Sequence, residues 1–318
     1  MKIVLVTPSP PGSLTGNRVT AERWARFLRD LGQEVEIVET WSGQDSDLLV
    51  ALHARKSAAS IGEFRRTNPD VPLLVTLTGT DLYRDLGRSP ETRASLDQAD
   101  LLIGLQDRVP DALPPELRRK VRIVRQSAEP IDEPPAVDPT VFEVCLLAHL
   151  RPVKDPLLAG RAVRHLPERS SVTVVHAGEV LDDETGRAAE RETQRNPRYL
   201  WTGPLPRNEA RRLLARCRLL LVTSRMEGAA NVVSEAVVDG VPVVATRIPG
   251  IQGTLGEDYP GLFPVGDAEA LARMLHRAET DAGFYRELEE RCATVGKLLT
   301  PEREREAWRR LLEELPVG

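Results

Sequence analysis

Short apolar runs separated by amphipathic stretches set the rhythm of the first third of the chain. Ile3 to Val6, Val35 to Val38, Leu48 to Leu52, Leu73 to Leu77, Leu101 to Leu105 and Val121 to Val124 are nearly unbroken in apolar residues. Runs of that length without polar alternation read as strands buried on both faces. Between the first two runs, Trp24, Phe27, Leu28 and Leu31 recur at helical spacing, with Asn17 as the expected cap and Gly32 as the expected stop. Strands that alternate with helices predict an α/β fold built on parallel, doubly wound sheets.

The rhythm breaks at residues 127–139, where four prolines among thirteen residues make a stiff linker with few helical options. It then restarts, with apolar runs at Phe142 to Ala148, Ser171 to His176, Leu219 to Val222 and Val241 to Ala245. No short repeat is present; the halves share only a βα rhythm, which predicts two Rossmann-like domains facing a cleft. The expected division is 1–133, 134–300 and a C-terminal helix at 301–318. That last segment is rich in charge and carries Trp308, Leu311 and Leu312 on one face. It either returns to the first domain or caps its own as an ordinary amphipathic helix.

A chain of 318 residues with 41% apolar content is comfortable for two cores. The net charge of −5 argues against a general nucleic-acid binder. Cys145, Cys217 and Cys292 are odd in number and scattered, with no disulfide frame or zinc spacing, and the first two lie in or beside apolar runs as expected buried thiols. Asp45-Ser46-Asp47 has the look of a metal-binding D-x-D but precedes a buried strand and reads as a turn, so no metal is expected. The chain enters a strand directly from Met1, without a secretory pattern or an apolar run of membrane-spanning length, and a cytoplasmic location is expected.

The richest chemistry lies in Glu227-Gly228-Ala229-Ala230-Asn231-Val232-Val233-Ser234-Glu235-Ala236. Two carboxylates flank small residues at an expected helix start. Free backbone N–H groups and the positive dipole end suit a phosphate there, and Glu235 on the first turns suits sugar hydroxyls. Arg151 and Lys154 follow the first strand of the second half, at the edge where α/β folds bind ligands. The turn Pro8 to Arg18 carries Gly12 and Gly16, is not a G-x-G-x-x-G, and ends with Arg18 as a positive charge at a helix start. His53, Arg55 and Lys56 end the third strand and read either as structural or as an anion site. Thr78-Gly79-Thr80-Asp81 closes the fourth, where Asp81 either caps a short helix or acts in chemistry.

The Glu227 to Ala236 stretch, the strand Val241-Pro242-Val243-Val244-Ala245-Thr246 and the turn Ile248-Pro249-Gly250 resemble the Glu-x7-Glu donor region of the retaining GT-B glycosyltransferases. The resemblance implies that Glu227 contacts the donor sugar and Glu235 the ribose. It implies that the amides of Ala230, Asn231 and Val232, beside Gly228, face the diphosphate, and that Arg151 and Lys154 neutralise it. Gly12 and Gly16 would approach the donor from the first domain. Asn17, Arg18, His53, Arg55, Lys56, Thr78, Gly79, Thr80 and Asp81 would line the acceptor side. Ala229-Ala230 replaces the Phe-Pro or Phe-Gly often found there, which leaves the sugar preference open.

A narrower resemblance runs along essentially the whole chain. Thr7 to Ala21, Leu52 to Ser57, Leu77 to Tyr83 and Leu150 to Pro156 look like the selenosugar synthases of selenoneine biosynthesis, the SenB family. It implies that a UDP-sugar, UDP-N-acetylglucosamine or UDP-glucose, and selenophosphate are substrates and that no cofactor is needed. The partners implied are small molecules and the enzymes that make selenophosphate or use the selenosugar. Other readings of the same site are transfer to an alcohol of a lipid or glycan, a UDP-sugar 2-epimerase, and a non-catalytic nucleotide-sugar sensor.

Overall fold

The computed structural model describes residues 1–315. Its contacts divide the described residues into two units, one comprising Met1–Ser127, Glu227–Ala230 and residues 300–315, the other Ala128–Met226 and Asn231–Leu299.

In the first unit the strands are β1 (Lys2–Val6), β2 (Glu34–Val38), β3 (Leu48–Leu52), β4 (Leu73–Leu77), β5 (Leu101–Gly104) and β6 (Val121–Ile123). They form one parallel sheet in the order β2-β1-β3-β4-β5-β6. Alternate side chains enter different cores: Ile3, Leu5, Leu48 and Val50 belong to one, Val4, Val6, Leu49 and Ala51 to the other. Burial on both faces is what demands unbroken apolar runs.

The first helix, Gly16–Asp30, is capped by Thr15 rather than Asn17, which lies inside the first turn. The Thr15 side chain makes no cap bond; its Oγ1 donates to Ser9 Oγ at 2.8 Å and so fastens the loop that precedes the helix. At the far end Gly32 has φ +81°, its N–H donates to Arg29 O and the Gln33 N–H donates to Leu28 O. That is a Schellman closure, which needs the left-handed residue.

The C-terminal helix Pro301–Glu314 packs on this first helix, with Trp24 and Trp308 edge to face at 4.8 Å. Glu304, only 2% exposed, joins the two. It accepts from Trp24 Nε1 at 2.6 Å, Arg23 Nε at 2.9 Å, Ser127 N at 2.7 Å and Ser127 Oγ at 2.5 Å.

The second unit carries β7 (Phe142–Leu147), β8 (Val172–Ala177), β9 (Tyr199–Trp201), β10 (Leu219–Val222), β11 (Val243–Thr246) and β12 (Leu262–Phe263). They form a parallel sheet in the order β12-β11-β10-β7-β8-β9. The strands β9 and β12 span three and two residues, and no apolar run marked them in the sequence. Fully buried His176 stitches three segments: its Nε2 donates to Ala148 O at 2.7 Å, and its Nδ1 accepts from Tyr199 OH at 2.7 Å.

All three cysteines are buried and unbridged. Asp45 and Asp47 both hold Lys2, through its Nζ at 2.8 Å and its backbone N–H at 2.7 Å. Among the described residues no cluster of three or more potential metal ligands is present, and no helix is long and apolar enough to cross a membrane.

Candidate functional site

In an open parallel sheet, ligands bind beyond the carboxyl ends of the strands where the strand order reverses. That point lies between β1 and β3 in the first unit and between β7 and β10 in the second. Gly12 to Arg18 follow β1, His53 to Lys56 follow β3, Arg151 to Lys154 follow β7, and the Glu227 to Glu235 stretch follows β10. The strand orders therefore bring Gly12 to Arg18 and His53 to Lys56 to the first unit's reversal, and Arg151 to Lys154 and the helix start at Asn231 to the second's.

Backbone strain concentrates at the same loops. Among the described residues, the non-glycine positions with positive φ are His53 at 72°, Asp155 at 41° and Ala230 at 62°. Each lies just beyond β3, β7 or β10. Such conformations cost about 1–3 kcal/mol each, and they gather at functional sites.

In the first unit, Gly12 has φ +77° and Gly16 opens the first helix. Asn17 and Arg18 lie on its first turns, and Arg18 Nε pairs with Glu22 at 2.7 Å. His53 is 3% exposed. Its Nδ1 accepts the Lys56 N–H at 3.3 Å, so Nε2 carries the proton toward Thr80 Oγ1 at 3.0 Å. Burial pushes the His53 imidazole below its ordinary value despite Asp81 at 3.9 Å, and the ring is neutral. Of the three cationic or titratable groups expected beyond β3, Arg55 and Lys56 are thus the two cations. Arg55 leans on buried Asp85 at 3.5 Å, and Lys56 is exposed.

Asp81 departs from its expected place on the acceptor side because it is fully buried. Oδ1 accepts from Thr78 N and Gly79 N, both at 2.9 Å, and Oδ2 accepts from Ala54 N at 3.0 Å. The carboxylate ties the β3 and β4 ends together and offers no surface to a substrate. Thr80, not Asp81, is the cap of the short helix that begins there.

Gly79 and Gly228 meet backbone to backbone within this unit. A Cβ on Gly79, whose φ is +128°, would come 2.7 Å from Gly228 N, and one on Gly228 would come 2.4 Å from Thr78 O. Glu227–Ala230 is thereby seated against the β4 loop, and Ala229 is buried in the first unit's core.

In the second unit, Asn231 opens the helix Asn231–Val238, so the first N–H groups of that helix, those of Asn231 and Val232 among them, have no intrahelical acceptor. Glu235 stands on the second turn, 14% exposed, and accepts from Arg207 Nη2 at 3.4 Å. Arg151 caps a 3-10 turn, Pro152–Lys154, and Asp155 ends it in the left-handed conformation. Two bonds fasten this turn to the β10 loop: Arg225 N–H to Val153 O at 2.9 Å, and Thr223 Oγ1 to Lys154 O at 2.8 Å. Thr223, Asp155, Arg225 and Arg207 were not singled out by their sequence. The one local signal was the Asp155-Pro156 pair directly after Lys154.

Comparison with known proteins identifies the fold and the family. A curated relative, the 2-deoxystreptamine N-acetyl-D-glucosaminyltransferase of Streptomyces fradiae, is 33% identical over 90 residues, 28% of this chain. The match spans only 21% of that relative's length. The structure of HepE from Anabaena in complex with UDP and glucose superposes with a TM-score of 0.78 at 17% identity, covering 99% of this chain and 100% of that one. Sucrose-phosphate synthase from Thermosynechococcus elongatus gives 0.75 at 16% identity, covering 98% of each. At such identities the likeness carries the fold, which is GT-B. The family model described as "Glycosyl transferases group 1" matches residues 128–297, over half of the chain, and the chain belongs to that family.

Proposed function

We propose that the chain is a retaining-type glycosyltransferase that draws on a UDP-sugar, UDP-N-acetylglucosamine or UDP-glucose, and passes the sugar to selenophosphate. The observation that carries the donor half is the meeting of two cation- and amide-bearing loops at the β7/β10 reversal, hydrogen-bonded to each other through Val153 and Lys154. UDP gains negative charge as the bond from anomeric carbon to phosphate oxygen breaks. Arg151, Lys154 and the helix start at Asn231 supply positive potential where that charge develops. Glu235 is the ribose acceptor, and Glu227 meets the donor sugar.

The selenium half rests on the likeness of the segments at Thr7 to Ala21, Leu52 to Ser57 and Leu77 to Tyr83 to selenosugar synthases. The selenium of selenophosphate is already nucleophilic, so the acceptor needs placement more than a general base. Placement alone is worth several orders of magnitude in rate. The first unit supplies Arg18, Arg55 and Lys56 beside Thr78 and Thr80, with His53 and Asp81 holding the loops. A second reading, transfer to an alcohol, is supported by the Streptomyces relative, whose name is that of an N-acetylglucosaminyltransferase.

The test is incubation with each UDP-sugar, with and without selenophosphate, following UDP release and a selenium-bearing sugar by mass spectrometry. Selenophosphate-dependent UDP release with the selenosugar as product is expected. Arg18→Ala should raise the KM for selenophosphate and spare UDP affinity. Glycosylation of an alcohol with indifference to selenophosphate would replace the first reading by the second.

A further inference from the structure

Asp155 is the most constrained residue of the β7 loop. Its side chain is 10% exposed, its φ is 41° and its ψ 49°, and it serves two guanidinium groups at once. Oδ2 accepts from Arg225 Nη2 at 2.7 Å and Oδ1 from Arg161 Nη2 at 3.2 Å. The backbone of Arg225 is bonded to Val153, inside the turn that carries Arg151 and Lys154. Arg225 donates to Asp155 only through Nη2, and its remaining guanidinium N–H groups have no acceptor among the described residues. Its side chain is 55% exposed.

We propose that Arg225 is a further cation of the nucleoside diphosphate site, held there by Asp155 as a positioning residue. This rests on the donor reading above. A guanidinium anchored through one nitrogen keeps a planar set of donors for phosphate oxygens, a geometry that an ammonium does not offer. The Asp155 charge does not repel the anion, because two arginines share it and Arg151 and Lys154 lie on the same turn. The left-handed backbone is tolerated by aspartate better than by most residues. It turns the carboxylate back under the cations and closes the loop. An ordinary exposed ion pair would contribute little to stability and nothing to ligand choice. The one here differs because its carboxylate is buried, strained and shared.

The experiment uses the full chain and two ligands that differ only in phosphate: UDP by calorimetry and uridine by ligand-observed NMR. Arg225→Met should weaken UDP about tenfold or more, the loss of a charged hydrogen bond, and change uridine less than about twofold. Arg225→Lys should restore part of the UDP affinity. Asp155→Asn keeps the left-handed backbone and removes the charge. It should weaken UDP by a few-fold, and adding it to Arg225→Met should have little further effect. Equal losses for UDP and uridine, or UDP affinity in Arg225→Met equal to that of a wild type that binds UDP normally, would overturn the inference alone. A wild-type chain that binds no UDP would remove the donor reading, and this inference with it.

Discussion

Glu304→Gln tests how the C-terminal helix is held. The carboxylate is 2% exposed and receives four hydrogen bonds, from Trp24, Arg23 and twice from Ser127. Glutamine has nearly the same shape, but its amide nitrogen must face a donor wherever it points. Turned toward Trp24 Nε1 it loses that bond; turned the other way it loses those of Arg23 and Ser127. Bonds to a charged group are worth about 1.5–3 kcal/mol each. Arg23, itself 9% exposed, also loses its ion pair with Glu304. Breaking a buried pair in this manner costs about 3–5 kcal/mol. Against a typical domain stability of about 5–15 kcal/mol the loss is large. With a urea slope of about 2 kcal/mol/M, the midpoint for the first unit should fall by roughly 1.5–2.5 M. Tryptophan fluorescence reads it well, since Trp24 and Trp308 are in contact at 4.8 Å. The double variant Arg23→Met/Glu304→Gln should recover part of the loss, because the buried guanidinium that the carboxylate paired with is gone. A midpoint shift below about 0.5 M, or a double variant as unstable as the sum of the singles, would refute the reasoning.

Three further outcomes are expected. Burial holds the His176 imidazole down to about 4, below the ordinary 6.5. Its stabilising effect is therefore complete above pH 6.5 and lost as pH falls toward 4, with about 2 kcal/mol gone by pH 5, a slope that His176→Gln should remove in urea titrations at pH 7.5 and 5. Gly228→Ala pushes a Cβ to 2.4 Å from Thr78 O, so the backbone beside Glu227 must move. The rate of UDP release from the sugar donor should drop by as much as ~100-fold, and an unaltered rate would count against a role for Glu227. Glu235→Ala should weaken UDP by about 1.5–3 kcal/mol in calorimetry with little change in melting temperature; unchanged affinity would mean that the carboxylate does not meet the nucleotide.

The strand rhythm was legible because burial on both faces of the central strands leaves no room for polar positions, while the edge strands β2 and β6 admit Glu36 and Arg122. Ten of the twelve strands announced themselves as apolar runs, while two-residue β12 and β9, whose three residues lie among polar neighbours, did not. The helix containing Glu235 was legible from small residues before an apolar stretch. The Trp308, Leu311 and Leu312 face of the last helix was visible too, but not its partner Trp24, 284 positions away. The Asn17 cap failed for a local reason: the helix began two residues earlier, and Thr15 was held by Ser9. Periodicity reports what lies within a few residues, and capping chemistry is similar for several neighbouring candidates.

Only the folded chain decided which groups keep their charge and which are spent on structure. His53 and Asp81 stood open in the sequence between a structural part and a place in the site. Folding placed them under the β3 and β4 loops, where desolvation neutralises the ring and backbone amides consume the carboxylate. Asp155 and Arg225 looked like two charges among many. Their pairing joins positions 70 apart and depends on β7 lying beside β10, a neighbour relation that no local pattern encodes. Sequence by itself determined the elements and the chemistry at their ends, since those follow from side chains and near neighbours. Strand order decided which ends meet, and burial decided which polar groups remain available, because both arise from contacts between residues far apart in the chain.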